Sequence, residues 1–320
     1  MKKIAVLTSG GDAPGMNACV RACVRYAIYN DVEVYGIERG YQGLLNNHIE
    51  KLNTRSVSDI IHRGGTILKT ARCPEFKEEE YIKQGAETLH AYGIDSLIVI
   101  GGDGSIRGAK DLSDLCGINV VGIPGTIDND LAYTDYTLGF DTAVNTVLTA
   151  INNLRDTMTS HDRASLLEVM GRKAGDIALY AALAGGAEYC LIPEIPFKIE
   201  DIAKSLLKSQ KRGKTSNMII YAEGAGDKDE ICKTIKELTG ISVKTTTLGH
   251  IQRGGSPSMA DRVLASKMAK RAVDLILENK TNRVVGVKHN DIFDMDITEA
   301  LKMPHKIDKD LYDLAHILSL

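Results

Sequence analysis

The stretch LIVIGGDGSIRG, residues 97–108, reads as an apolar strand that runs into a glycine turn and then a helix. Four aliphatic residues in succession suit a strand buried on both faces, and the glycines at 101, 102 and 104 end it. The same junction recurs along the chain. IAVLT (4–8) meets SGGDAPG, VVGI (120–123) meets PGTIDND, LEVM (167–170) meets GRKAGD, and TTL (246–248) meets GHIQRGG. Further β-branched runs stand at 32–37, 218–222 and 284–287, with helical stretches at 78–92, 140–158 and 259–277 between the strands. In the second of these helices Ala143, Val144, Val147, Leu148, Ile151 and Leu154 share one face. Continuous apolar strands alternating with helices predict an α/β protein: doubly wound, mainly parallel sheets with helices on both faces. Ligands then belong at the carboxyl ends of the strands, where the glycine turns fall.

At 320 residues the chain has the length of two domains. Its 39 Lys and Arg nearly balance 42 Asp and Glu, so no overall basic field argues for nucleic acid or an anionic membrane. Aromatic residues are few and Trp is absent, which weakens a base-stacking platform. No apolar run approaches the ~18 residues of a membrane span. MKKIAVLTSGGD reads as a first strand rather than a signal peptide, since its apolar run is short and lacks a cleavage site. Six cysteines without a C-x-x-C pair read as reduced, buried thiols of a cytoplasmic protein. Glycine is in excess, 30 residues with no three-residue period. It adopts positive φ freely and lets a phosphate reach backbone N–H groups, so five such turns predict an anion-handling edge.

Two common phosphate motifs fail. Gly213-Lys214-Thr215 would complete a P-loop, but its first glycine is replaced by Lys208. After Gly102 and Gly104 the next glycine is Gly108, one residue too late for a dinucleotide fingerprint. Asp103 lies between glycines ahead of a helix expected near Ser105. It could hold Mg²⁺ against nucleotide phosphates, or it could cap that helix. Asp128 and Asp130 in TIDND would face one side of an extended stretch. Asp128 could act as a base toward an attacking hydroxyl, or the pair could form an Asx-turn or cap the helix near Phe140.

TSGGDAPGMNA, RGGT followed by ARCPEF, IGGDGS, PGTIDND, EVMGR, AGGAE and LGHIQRGGSP together closely resemble the bacterial ATP-dependent 6-phosphofructokinase family. The resemblance runs from the first strand to the last helix, and PGTIDND with GHIQRGGSP is its most specific part. It implies transfer of the γ-phosphoryl of Mg·ATP to the 1-hydroxyl of fructose 6-phosphate. It also implies an ATP-binding domain over 1–138 and 251–302, and a substrate and effector domain over 139–250 and 303–320. Gly11, Gly102, Asp103, Gly104 and Ser105 would hold ATP phosphates beside Arg72 and Cys73, with Asp103 on Mg²⁺. Asp128 would take the hydroxyl proton, with Thr126 and Ile127 lining the pocket. Met170, Gly171, Arg172 and Glu223 would contact the sugar phosphate. His250, Ile251, Gln252 and Arg253 would surround the 6-phosphate, joined by Arg163 of a neighbouring subunit. Arg72 and Arg172 would offset charge on the transferring group. Pyrophosphate-using relatives tend to carry bulkier residues where this chain has Gly104 and Gly125, which favours ATP.

The resemblance further implies a homotetramer with an effector site for ADP, GDP or phosphoenolpyruvate between subunits. Its matching positions are Arg21, Arg25, Ser58, Asp59, Arg155, Gly186, Ala187, Glu188, Arg212, Lys214, Thr215 and Ser216, and Glu188 could hold a second cation. Lys244 stands where relatives have an arginine, keeping charge but losing the fork. Thr54, with Arg55 beside it, replaces an effector-site arginine.

Overall fold

The computed structural model describes residues 2–159, 164–214 and 216–319. In chain order its elements are β1 (Lys3–Ser9), α1 (Met16–Tyr29), β2 (Glu33–Ile37), α2 (Gly40–Leu45), β3 (Ile49–Leu52), α3 (Glu79–Ala91), β4 (Ser96–Gly101), α4 (Asp103–Cys116) and β5 (Asn119–Pro124). Then come α5 (Phe140–Thr159), β6 (Ala164–Val169), α6 (Asp176–Gly185), β7 (Tyr189–Leu191), α7 (Ile199–Lys211), β8 (Asn217–Ala222) and α8 (Lys228–Thr239). The chain closes with β9 (Val243–Thr247), α9 (Met259–Leu277), β10 (Arg283–Lys288), β11 (Asp291–Asp296), α10 (Ile297–Lys302) and α11 (Lys309–Leu318).

The chain divides into two compact units. The first comprises Met1–Ile127, Leu131–Thr142 and Arg253–Pro304. The second comprises Asp128–Asp130, Ala143–Gln252 and His305–Leu320.

The first unit holds a seven-stranded sheet in the order β11-β10-β5-β4-β1-β2-β3, parallel except for β3 and β11 at its edges. β4 is buried from end to end, as four consecutive aliphatic residues require. Leu7, Leu97, Ile106, Leu112 and Leu89 build its core with Phe76, whose ring stacks on Tyr41. The chain winds from β1 toward β2 and then returns to lay β4 on the other flank, so β1 and β4 bound the switch point. The second unit holds a four-stranded parallel sheet, β7-β8-β6-β9, packed on Leu166, Leu206, Ile219, Ile231 and Ile235.

Three strands escape the hydrophobic pattern: β3, β7 and β11. IEKL and DIFDMD are edge strands with polar, partly wet faces, and YCL is three residues long. Two expectations are corrected. Among the six free cysteines only Cys19 and Cys23 are buried, and the other four are half-buried. α4 begins at Asp103 rather than near Ser105, because Gly102 already occupies the cap position and accepts from the amides of Ser105 and Ile106.

Candidate functional site

Along the carboxyl edge of the first sheet, Ser9 of β1 is in register with Gly101 of β4, and Gly101 with Pro124 of β5. Three glycine-bearing turns therefore stand side by side: Gly10-Gly11, Gly102 to Gly104, and Gly125. The Gly125 amide donates to the Gly101 carbonyl at 3.0 Å. The start of α4 points the amides of its first two residues, Asp103 and Gly104, at this edge, while the Ser105 amide is taken by the Gly102 carbonyl. A Cβ on Gly104 would meet no atom within 4 Å, and one on Gly102 would meet only the Thr126 Cβ at 3.7 Å. Ser105 is buried, and its carbonyl accepts from the Tyr41 hydroxyl at 2.6 Å.

The loop carrying Arg72 and Cys73 is tied to the same edge. The Thr70 hydroxyl donates to the Gly10 carbonyl, and the Thr8 hydroxyl to the Lys69 carbonyl at 2.8 Å. Arg72 is exposed, and Cys73 is half-buried. Burial pushes the Cys73 thiol up, reinforced by Glu75 against the Phe76 amide, so it stands protonated at neutral pH. The guanidinium of Arg253 lies against Gly11 and donates to the Asp12 carbonyl at 3.3 Å. RGGT and QRGG also meet here: Gly64 packs its backbone on Gly255, and the Ser256 hydroxyl donates to the His62 carbonyl at 2.7 Å.

Asp103 is gripped by Arg107, whose Nε and Nη2 reach its carboxylate at 2.7 and 3.0 Å. The Asp103 charge in turn raises the Arg107 pKa, against burial. This pair spans one helical turn at a half-exposed surface, where such contacts are worth about 0.3–0.5 kcal/mol. A hard divalent cation would therefore displace Arg107 at little cost. Two carboxylate oxygens beside open space for phosphate oxygens suit Mg²⁺, so the residues present fit that ion.

The TIDND stretch differs from its extended reading. The backbone bends at Ile127 and Asp128, and Asn129 takes φ +52°. Strict alternation ends at a left-handed residue, so two carboxylates two apart no longer face one side by geometry alone. Thr126 is held through its carbonyl, which accepts from the Thr137 hydroxyl at 2.6 Å. The amides of Gly139 and Thr142, at the start of α5, are taken by buried Asp261 of α9 at 2.8 and 2.9 Å.

The second sheet presents a matching edge. Val169 of β6 is in register with Ala222 of β8, and Glu168 with Thr247 of β9. Met170–Arg172, Glu223 and Gly249–His250 thus emerge together at carboxyl ends. Gly171 takes φ +140°, and a Cβ there would collide with the Ala174 carbonyl oxygen. Gln252 is fully buried and accepts from the Met170 amide at 3.2 Å, while its own amide donates to the Gly249 carbonyl at 3.1 Å. Arg172, Glu223, Lys244, His250 and Ile251 are all exposed.

The effector candidates fall into two sets. In the first unit Arg21 and Arg25 lie on α1, while Ser58 and Asp59 lie in the exposed loop after β3. In the second unit Arg155 donates to the carbonyls of Gly185 and Gly186, next to Ala187 and Glu188. Glu188 does not stand free for a second cation: it accepts from the Met218 amide and pairs with Lys214 at 3.1 Å. Arg212 is exposed and Ser216 half-buried. Arg163 and Thr215 lie outside the described residues. Arg107, Thr70 and Asp261 were missed. Only Arg107 left a sequence signal, an acid and a base four apart on a helix.

Comparisons with known proteins agree on one family. The profile described as Phosphofructokinase matches residues 3–276. The chain is 61% identical over 319 residues, with both proteins fully covered, to a Clostridium tetani protein named ATP-dependent 6-phosphofructokinase. A Clostridium perfringens protein named ATP-dependent 6-phosphofructokinase 1 is 57% identical, again with full coverage. Among solved structures, phosphofructokinase from Saccharomyces cerevisiae superposes with a TM-score of 0.90 at 35% identity, covering 100% of this chain and 48% of that one.

Proposed function

The chain belongs to the phosphofructokinase family, and we propose that it is the ATP-using kind, phosphorylating fructose 6-phosphate at its 1-hydroxyl. The products are fructose 1,6-bisphosphate and ADP, a committed step of glycolysis carried out in the cytoplasm. One observation carries the choice of donor: the open Cβ direction at Gly104, beside the amides of the α4 N-terminus. Those amides bind phosphate oxygens through aligned N–H groups, and the missing side chain leaves room for the rest of a nucleotide.

The first unit is read as the nucleotide domain, with Gly11, Arg72, Cys73 and the Gly102–Ser105 turn around the phosphates. Asp103 would hold Mg²⁺, which neutralises charge on the β- and γ-phosphates when bound. The second unit is read as the sugar-phosphate domain. Met170, Gly171, Arg172, Glu223, Lys244 and His250 would orient the sugar, with Arg253 and a partner's Arg163 on its phosphate. Buried Gln252 holds the Met170 amide, which supports a rigid sugar-binding turn. Asp128 removes the hydroxyl proton as the oxygen attacks phosphorus. Arg72 and Arg172 donate to oxygens whose charge grows in the transition state.

The proposal includes a homotetramer with an effector site for ADP, GDP or phosphoenolpyruvate. Arg155 and Lys214 beside Glu188 support an anion-binding pocket in the second unit. The test is a product assay offering ATP and pyrophosphate in turn to the parent and to Asp128→Asn. The parent is expected to work with ATP. Losing a general base should lower turnover by ~10²–10⁴-fold with folding unchanged. Near-normal turnover in the variant removes Asp128 from the base role, and no bisphosphate with either donor ends the reading altogether.

A further inference from the structure

Away from the phosphate edges, the second unit gathers three metal-ligating side chains from distant stretches of chain. Asp176 is the first residue of α6, Glu194 follows β7, and His305 precedes α11. One ligand atom from each lies within 4.8 Å of the other two. Asp176 is 8% exposed, and its Oδ2 accepts no aligned hydrogen bond although His305 Nε2 stands 2.9 Å away. Glu194 uses Oε1 to accept from the Gly175 amide at 2.8 Å, which leaves Oε2 buried without a partner. Glycine at 175 is what admits this approach, because a Cβ would lie 2.5 Å from Ile192 and 2.8 Å from Glu194 Oε2.

Glu194 Oε2 is buried without a hydrogen-bond donor, which costs desolvation free energy, and Asp176 Oδ2 has only the His305 ring nitrogen beside it at 2.9 Å. A cation placed among them offsets that cost, and the imidazole selects which cation. Mg²⁺ prefers oxygen and water, whereas a nitrogen with two carboxylates suits Zn²⁺ and its neighbours. Three ligand atoms within 4.8 Å of one another are within reach of zinc bonds of about 2.0–2.2 Å, with a fourth position left for water. We propose that Asp176, Glu194 and His305 form a binding site for a divalent transition-metal ion of the Zn²⁺ class, separate from the nucleotide's Mg²⁺. Bound there, the ion ties the α6 N-terminus to the segment leading into α11. Asp176 lies five residues beyond Gly171, so the ion also stiffens the turn that carries Met170 and Arg172.

The test is Zn²⁺ titration of the full chain against a chromophoric chelator, with Co²⁺ as spectroscopic probe. The buffer is set near pH 8, because Asp176 raises the His305 pKa against burial and a ligating imidazole must be unprotonated. One Zn²⁺ per chain is expected, undisplaced by excess Mg²⁺, with a raised melting temperature. Affinity should fall at least ~10-fold in both His305→Gln and Glu194→Gln. Glu194→Gln keeps Oε1 for the Gly175 amide and so preserves the fold. The Co²⁺ form should show visible bands without thiolate charge transfer. Absence of stoichiometric binding overturns the proposal. So does unchanged affinity in both variants, or a thiolate band, the latter assigning the metal to cysteine.

Discussion

Gly104→Asp separates the fold from the donor site more cleanly than any other single change. Gly104 is the second residue of α4, and a Cβ there meets nothing within 4 Å, so the side chain has room. A carboxylate in the first helical turn is favoured by about 0.3–1 kcal/mol through the helix dipole, and replacing glycine in a helix adds a comparable gain. The variant should therefore melt at or slightly above the parent. Its new charge faces the edge proposed for ATP phosphates. At ~4 Å from a phosphate oxygen, like charges repel by about 1 kcal/mol in bulk water and about 4 kcal/mol at an effective dielectric of 20. That converts to a fall in kcat/KM for ATP of about 5- to 10³-fold. Coupled ADP-release kinetics and a thermal melt read the two effects independently. A lower melting temperature refutes the open-space argument. Unchanged kcat/KM for ATP refutes the placement of phosphates at the start of α4.

Gly171→Ala combines a φ of +140° with a collision against a backbone oxygen, so urea unfolding should show a loss of about 2–4 kcal/mol and KM for fructose 6-phosphate should rise. An unaltered urea midpoint with unaltered KM would contradict it. Asp294 sits between Arg271 and Arg283, with contacts at 2.6 and 2.8 Å stapling β10 and β11 to α9. Burial alone would raise its pKa, but the two guanidiniums outweigh burial and hold it below the usual carboxylate value. Stability from a depressed pKa is present above the unfolded value of ~3.9 and is lost as pH falls through the folded one. Asp294→Asn should thus cost about 1.5–3 kcal/mol at pH 7, by denaturant unfolding, with the difference from the parent shrinking below about pH 4. A difference that persists undiminished in strong acid would remove the ion pairs as its cause.

Long apolar runs and the glycine turns that follow them are local features, legible in the sequence. LIVI at 97–100 has no polar residue to face water, so its burial on both sides is a property of the sequence alone. The helix Phe140–Thr159 announces itself by its apolar period, and glycine turns follow each apolar run because the chain must leave the sheet there. Edge strands carry no such mark. DIFDMD became a strand through its ladder to β10 and the ion pairs of Asp294, which are long-range contacts. TIDND looked extended, yet Asn129 turned it through a left-handed conformation that its neighbours' composition does not dictate.

The sequence by itself determined the class of fold and the glycine turns that line the carboxyl edge of the sheet. These follow from burial and from backbone freedom at glycine, both local properties. Tertiary structure alone decided that Ser9 and Gly101 are neighbours, that Arg107 closes on Asp103, and that Thr70 anchors the Gly10 turn. It alone brought Asp176, Glu194 and His305 to one point. Strand order and side-chain convergence depend on which distant surfaces bury one another, and that free energy belongs to the assembled chain rather than to any stretch of it.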